Sequence, residues 1–296
     1  MSSRVVVVGS ANADLVVRVD RHPSPGETVL GSDLATFPGG KGGNQSVAAG
    51  RLGADVAFVG LVGTDAHGDF LLESMRGAGV DTGHVGRVPT ATGVAVITVG
   101  ADGDNTIVVS PGANAELGED EVAAAAPLLR DAAVTSMQLE IPMPAVLAAA
   151  RVARRVVLNL SPARDVPKEL LELCDPLVVN EHEAAFLLGE AAAGSPVDSA
   201  KALLDRGPAS VVVTLGAEGA VVAEPGTVTA VPSPRVSPVD TTGAGDAFTG
   251  ALAARLADGA SLTAAAAYAA RVGAAAVTKE GAQSSFPRPE DVPPAG

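Results

Sequence analysis

The chain has 296 residues, 47% hydrophobic and 18% charged, a balance that fits an ordinary globular protein and excludes collagen, disordered and disulfide-scaffold classes. Its 20 Lys and Arg against 34 Asp and Glu give a formal charge of −14, which argues against a surface built to neutralise nucleic acid. An anionic ligand would have to be held by local features: helix N-termini, backbone N–H groups or cations.

The first apolar stretch, Val5 to Val8 behind a single Arg4, is too short for a signal peptide or a membrane span. It is β-branched and closed by Gly9, which predicts a buried parallel strand. The following GSANAD lacks the second and third glycines of a dinucleotide-binding loop, which removes a dehydrogenase reading. Asn12 and Asp14 in it are hydroxyl-binding groups or plain turn residues. Leu15 to Asp20 and Glu27 to Phe37 are predicted strands around HPSPGE. Gly39 to Gln45 (GGKGGNQ) is no nucleotide P-loop, because the four-residue spacer before Gly-Lys is missing and Gly42 follows Lys41. With Gly40, Gly42 and Gly43 baring the backbone, Lys41 as a cation and Asn44 at a helix start, the segment suits a neutral polyhydroxyl ligand.

A helix over 44–52, a strand from Val56 to Val59 and a helix over 67–78 follow. Val94 to Val99 and Thr106 to Ser110 form a predicted hairpin across GADGDN. The extra strands, within 12–38 and 90–112, are expected to make a small second sheet: a lid, a dimer contact or an edge decoration. Further on, helices over 143–153, 181–188 and 197–206 alternate with strands from Val156 to Leu160, Leu177 to Val179 and Val211 to Leu215. That alternation predicts one α/β domain over 1–296, with a doubly wound, mostly parallel sheet flanked by helices and ligands at the C-terminal strand ends.

Cys174 is the only cysteine, so no intrachain disulfide forms and a cytoplasmic protein is expected. Asn180 and Glu183, three residues apart where a strand meets a helix, either orient a hydrated Mg²⁺ or leave Asn180 as a simple N-cap. His22, His67, His84 and His182 form no zinc spacing. The turn Thr214, Leu215, Gly216, Ala217, Glu218, Gly219 could admit the ribose or phosphates of a nucleotide closely.

Asp240 to Gly250 (DTTGAGDAFTG), directly before an Ala-rich helix, carries the strongest chemical signal. Its glycines let the N–H groups of Gly243, Ala244 and Gly245 converge at a helix start, where phosphate binds without basic side chains. Asp246 would repel an anion there, which points to a base that takes the proton of an attacking hydroxyl; the bland alternative is an acidic residue favoured by the helix dipole. The tail from Pro287 to Gly296 is expected to fray.

Read in order, GSANAD, HPSPGETVLG, PGGKGGNQSVAAGRLGADVAFVG, NTIVVSPGAN, MQLEIP and DTTGAGDAF resemble the landmarks of the carbohydrate-kinase superfamily that contains ribokinase, fructokinase and adenosine kinase, and most of all its ribokinase branch. The resemblance runs from Val5 to about Pro287. It implies ATP-dependent phosphorylation of D-ribose at O5, with Asp246 as the base and Gly243, Ala244 and Gly245 as the anion hole. Sugar hydroxyls would meet Asn12, Asp14, Gly40, Lys41, Gly42, Gly43, Asn44, Glu140 and Asp246. ATP would lie along Asn180 and Thr214 to Gly219 as far as Gly245 and Asp246, with Asn180 and Glu183 governing Mg²⁺ through water. The resemblance also implies K⁺ near Asp240, Thr242, Ala276, Lys279, Gly281 and Ser285, and a homodimer through the lid. One departure is Ala270, where ribokinases commonly place His or Asn against the base; this leaves ATP and GTP both open. Rival readings are a kinase of the same fold for deoxyribose, a hexose or a nucleoside, and a sugar sensor without catalysis. Asp246 counts against the sensor, and the lack of any aromatic near the lid other than Phe37 counts against a nucleoside.

Overall fold

The short β-branched runs form the parallel centre of the molecule, and the glycines between them set how closely the helices approach. A computed structural model describes residues 3–189 and 194–294. The chain opens with β1 (Val5–Val8), β2 (Asn12–Arg18), β3 (Ala35–Gly39), α1 (Lys41–Arg51), β4 (Val56–Gly63), α2 (Ala66–Gly77), β5 (Val80–Val88), β6 (Gly93–Val99) and β7 (Asn105–Ser110). The middle runs through α3 (Glu119–Ala124), α4 (Ala126–Asp131), β8 (Val134–Met137), α5 (Met143–Val152), β9 (Val156–Asn159), α6 (Lys168–Leu173), β10 (Cys174–Asn180), α7 (Glu181–Leu188) and α8 (Pro196–Leu204). It ends with β11 (Val211–Thr214), β12 (Ala220–Glu224), β13 (Thr227–Val231), α9 (Ala244–Ala257) and α10 (Leu262–Ala276).

The main sheet has the strand order β13-β12-β11-β10-β9-β8-β1-β4-β5. Pairing is parallel from β11 to β5, and the edge strands β12 and β13 are antiparallel. Its strands alternate faces as a pleat requires. Val5, Val7, Phe58, Val157, Val178 and Val212 pack under α1, α2, α9 and α10, whereas Val6, Val8, Val59, Leu158, Val179 and Val213 pack under α3 to α8. α9 is buried around nearly its whole circumference, which is why it is Ala- and Gly-rich with no polar stripe.

β2 leaves β1 after only Gly9, Ser10 and Ala11 and enters a second, four-stranded sheet of order β3-β2-β6-β7. The hairpin β6–β7 pairs Val94 with Ser110 and Val99 with Asn105. The strand expected over 27–37 is corrected: only Ala35–Gly39 is regular, and before it a single bridge joins Val19 to Gly31. Asp20 to Leu34 carries two prolines and no alternating pattern, so ladder pairing has little to hold it. β5, β8, β12 and β13 were not anticipated. β5 sets polar residues and glycines between its three valines and β8 places Thr135 and Ser136 between Val134 and Met137, so neither offers a hydrophobic run. The tail expected to fray is corrected over its described residues, 287–294: Pro289–Asp291 forms a 3₁₀ turn, and Arg271 Nη1 donates to the Pro293 carbonyl at 2.9 Å; residues 295 and 296 lie outside the described residues.

Two glycines bring the N-terminal halves of α1 and α9 together and onto β1. A Cβ on Gly42 would lie 2.8 Å from Gly9 and Ser10 backbone atoms, and one on Gly250 would lie 2.5 Å from the Gln45 carbonyl. Gly250→Ala is therefore expected to lower stability by about 1–2 kcal/mol, because overpacking outweighs the gain in helix propensity. Gly77→Ala, where a Cβ meets nothing within 4 Å, is expected to be neutral or stabilising by up to ~1 kcal/mol. Urea unfolding of the two variants checks the contrast, and equal effects would show that the α1–α9 contact is looser than described.

Candidate active site

The chain runs from β1 outward to β4 and β5, then returns to build β8 to β11 on the other side of β1. Such a reversal opens a crevice at the carboxyl ends of the strands. Ser10 follows β1 there, Gln138 and Glu140 follow β8, and Asn159, Asn180 and Thr214 close β9, β10 and β11. The small sheet stands over the same edge because β2 continues β1.

Gly243 ends the loop before α9 in the left-handed conformation, φ 75°, with a would-be Cβ 2.9 Å from Ala282 Cβ. Ala244, Gly245 and Asp246 are then the first three helical residues, whose N–H groups have no carbonyl a turn earlier. One of the three expected anion-hole donors is already engaged: Ala244 N–H donates to the Thr241 carbonyl at 3.2 Å. Asp246 is only 7% exposed. Asn44 Nδ2 donates to its Oδ2 at 2.9 Å and Gln45 Nε2 to its Oδ1 at 3.2 Å. Burial raises its carboxyl above the ordinary value, against the opposing effects of Lys41 and the two amides and with help from Glu140.

The sugar-type residues converge on the same point. Gly39 and Gly40 let β3 cross β2: a Cβ on Gly39 would strike the Asp14 carboxylate, and one on Gly40, φ 80°, would lie 2.6 Å from Asn12 N. Asn12 is buried with its Oδ1 accepting from Asn114 Nδ2 at 2.8 Å, so its own NH₂ is what it can offer a ligand. Glu140 Oε2 accepts from Lys41 N at 3.0 Å and from Ser10 Oγ at 2.5 Å. Burial alone would depress Lys41, yet Asp246, Glu140, Glu183 and Asp14 together raise it, so it stays cationic. Asp14 is pushed up to about 7 by burial and by Glu140 and Asp246, with Lys41 opposing. Gly42 and Gly43 are buried inside α1 and serve its packing rather than facing the crevice.

Two cavities meet at α9. One of about 170 Å³ holds Lys41, Asn159, Ser161, Glu183 and Asp246; the other, of about 830 Å³, is bounded by Gly216, Gly219, Phe248, Ala270, Gly273 and Val277. Thr214, Thr241, Ala244 and Gly245 line both, so a long ligand could run from one into the other. Ala217 and Glu218 also line the larger cavity, whereas the half-buried Leu215 side chain packs against the hydrophobic core and does not line it. Its far wall, Pro232 to Val236 with Pro238, carries no motif and escapes sequence reading.

Asn180 and Glu183 form a reciprocal capping box at 2.8 Å in both directions, which is the simpler of their two expected roles. Both still line the smaller cavity. Burial raises the Glu183 carboxyl against bonds from Asn180 and Ser161. Asp240 joins two loops, accepting from Thr242 N at 2.9 Å and Gly281 N at 2.8 Å. Burial works against its charge, but these bonds hold its carboxyl below the ordinary value. The Ala276 carbonyl takes a long 3.4 Å bond from Lys279 N, the buried Ser285 hydroxyl donates to the Ala282 carbonyl at 2.9 Å, and the Lys279 side chain is exposed. Gln45, Asn114, Asn159 and Gln283 complete the site, and the sequence reading assigns none of them a role; the available signals are that Gln45 stands inside GGKGGNQ and Asn114 closes NTIVVSPGAN.

Comparison with known proteins identifies the family and the fold. Residues 2–289 match the profile described as pfkB family carbohydrate kinase. The chain is 38% identical to the ribokinase of Staphylococcus aureus (strain COL), over 99% of both chains. It superposes on the ribokinase of Thermotoga maritima with a TM-score of 0.92 at 35% identity, covering 97% of each chain. Arabidopsis thaliana ribokinase, solved in complex with ribose and ATP, gives a TM-score of 0.89 at 32% identity, covering 99% of this chain and 98% of that one.

Asp14 supplies a test by pH. Its carboxyl is raised in the folded chain from 3.8 to about 7, so between those values the folded state holds a proton that the unfolded state has lost. Stability contributed at this site therefore falls as pH rises, by about 2–4 kcal/mol in total. Asp14→Asn is expected to melt above the parent near pH ~8, with the advantage shrinking toward pH ~4. A gain that stays constant across that range would mean Asp14 ionises freely.

Proposed function

The chain belongs to the pfkB family of carbohydrate kinases, and from that we propose that it transfers the γ-phosphoryl group of ATP to O5 of D-ribose, giving D-ribose 5-phosphate and ADP. The observation that carries this reading is the placement of Asp246: a buried carboxylate at a helix N-terminus, at the junction of a polyhydroxyl-type site and a cavity long enough for a nucleotide.

In this reading Asp246 takes the proton of the 5-hydroxyl as that oxygen attacks the γ-phosphorus, and the bond to the bridging oxygen breaks to release ADP. Its raised basicity suits the task better than an ordinary carboxylate would. The N–H groups of Gly243 and Gly245, and that of Ala244 once Thr241 releases it, take the transferring group in this reading. Asn12 NH₂, Asp14 and Asn44 take sugar hydroxyls. The base and ribose of ATP occupy the larger cavity, where Ala270, Gly273 and Ala274 present no side-chain hydrogen bond to the base.

A divalent cation accompanies ATP-dependent transfer in general, and we assign Mg²⁺. Among the described residues no group of three or more His, Cys, Asp or Glu could hold such an ion, so the donor set fits an ion carried by the phosphates. Asn180 and Glu183, tied to each other, would reach it through water, and the ion's chemistry is to neutralise phosphate charge. The oxygen-rich set at Asp240, Thr242, Ala276, Lys279, Gly281 and Ser285 fits K⁺, which would supply fixed positive charge behind the loop that leads to Gly243. The small sheet closes over the sugar and excludes water, and its exposed Val96, Ile107, Val108 and Val109 fit burial against a second copy. No described helix is long and apolar enough to cross a membrane, and one buried cysteine suits a reducing cytoplasm.

ADP release is measured with ATP and Mg²⁺ on D-ribose, 2-deoxyribose, fructose and adenosine, each with and without K⁺. Ribose-selective, K⁺-stimulated turnover is expected; dominance of another sugar would refute the substrate, and ribose binding without turnover would favour a sensor. Asp246→Asn is expected to bind ribose but lose about 10²–10⁴-fold in kcat.

A further inference from the structure

The amides around Asp246 are not free to rotate, and the reason lies in a chain of hydrogen bonds that ends far from the crevice. Ser74 Oγ, on α2, donates to Gln283 Oε1 at 2.8 Å. Gln283 Nε2 donates to Asn44 Oδ1 at 3.1 Å, and Asn44 Nδ2 donates to Asp246 Oδ2 at 2.9 Å. Every link has the same polarity. An ionised carboxylate only accepts, so Asn44 must turn its NH₂ toward Asp246 and its carbonyl oxygen toward Gln283, which must in turn present its own NH₂. Gln283 is 3% exposed, and its backbone carbonyl is clamped by Arg51 Nη1. On the opposite oxygen Gln45 is fixed in the same manner, its Oε1 taken by Ser136 Oγ at 2.9 Å and Gln138 Nε2 at 2.5 Å.

We propose that Gln283 is a positioning residue for the base: by locking the Asn44 amide it keeps an N–H donor on Asp246 and so holds the carboxylate ionised and aimed at the acceptor hydroxyl. This deepens the phosphotransfer reading and rests on it. The charged groups that face Asp246 are Lys41 from α1, Glu140 after β8, Asp14 from β2 and Glu183 from α7, and none of them touches Gln283 by a hydrogen bond. Burial and the carboxylates oppose ionisation of Asp246, and Lys41 and the two amides favour it.

Gln283→Glu separates this role from a structural one. A glutamate still accepts from Ser74 but, when ionised, cannot donate to Asn44; Asn44 must then flip and turn its carbonyl oxygen on Asp246, which favours the protonated carboxyl. In the kcat–pH profile of the full chain with saturating ribose and ATP, scaled to each protein's own alkaline plateau, the acid limb is expected to move up by about one pH unit, a tenfold loss below the limb. Gln283→Met removes the lock without imposing the reverse one, and its limb is expected to move by less. Equal limbs in the parent and Gln283→Glu, or equal shifts in Glu and Met variants, would overturn the assignment. If Gln283→Glu does not fold, Ser74→Ala decides: it frees the Gln283 amide, and a limb that stays in place overturns the proposal. A parent enzyme that turns over no sugar would instead sink the kinase reading itself, which distinguishes the two failures.

Discussion

A carboxylate that is 7% exposed must be compensated where it sits, and Asp246 is compensated from four directions. The first turn of α9 gives dipole and N–H groups, Lys41 gives charge, and Asn44 and Gln45 give one amide donor to each oxygen. These partners lie about 200 positions away in sequence, at 201 and 202 residues for the amides, so the interaction exists only if α1 and α9 meet at their N-terminal ends. Gly42 against Gly9, and Gly250 against Gln45, are the contacts that let them meet. Packing and chemistry are therefore one constraint: a methyl group on Gly250 would push apart the helices that share the carboxylate, and one on Gly42 would lift α1 from the end of β1.

The sheet supplies the rest by topology. Because β1 lies between β8 and β4, the loops after β1 and β8 diverge around a crevice, and β2 carries the small sheet directly above it. Ser10 and Glu140, from those two loops, are joined by a hydrogen bond, and Glu140 also caps the first N–H of α1. A residue that would be read as a sugar ligand is thus also a fastening between β1, β8 and α1. The same double use appears at Asn180 and Glu183, whose capping box fixes α7 while their side chains border the cavity.

How much of this was legible follows from the range of each interaction. Strands such as Val5–Val8 and Val211–Thr214 are local β-branched runs and were readable, as were α7 and α8 and the Gly-rich turn before α9. β5 and β8 are not, because Asp81, Thr82, His84 and Arg87 in β5 and Thr135 and Ser136 in β8 break up any apolar run. At the site, Asp246, Asn44 and Asn12 announced themselves through chemistry at special backbone positions. Gln283 and Asn114 did not, because their function is to hold another amide, and that is a property of pairs 239 and 102 residues apart. Leu215 shows the converse: a turn that borders a cavity still gives one side chain to the core.

The charge of −14 looked unfavourable for a protein that handles polyanions, and the structure resolves the conflict by separating two kinds of surface. Asp14, Glu140, Glu183 and Asp246 surround one lysine, a cluster that neutral hydroxyls satisfy and that a phosphate would meet with repulsion. The N–H groups of Gly245 and Asp246 open α9 beside it, where the two cavities share Thr241, Ala244 and Gly245. An anion bound there feels the helix N-terminus at contact range, whereas the remaining acidic residues are spread over a solvated surface and screened within about 10 Å. Local field, rather than net charge, decides what this crevice accepts, and the reacting oxygen and the phosphoryl group meet where the acidic half of the site gives way to the helix start.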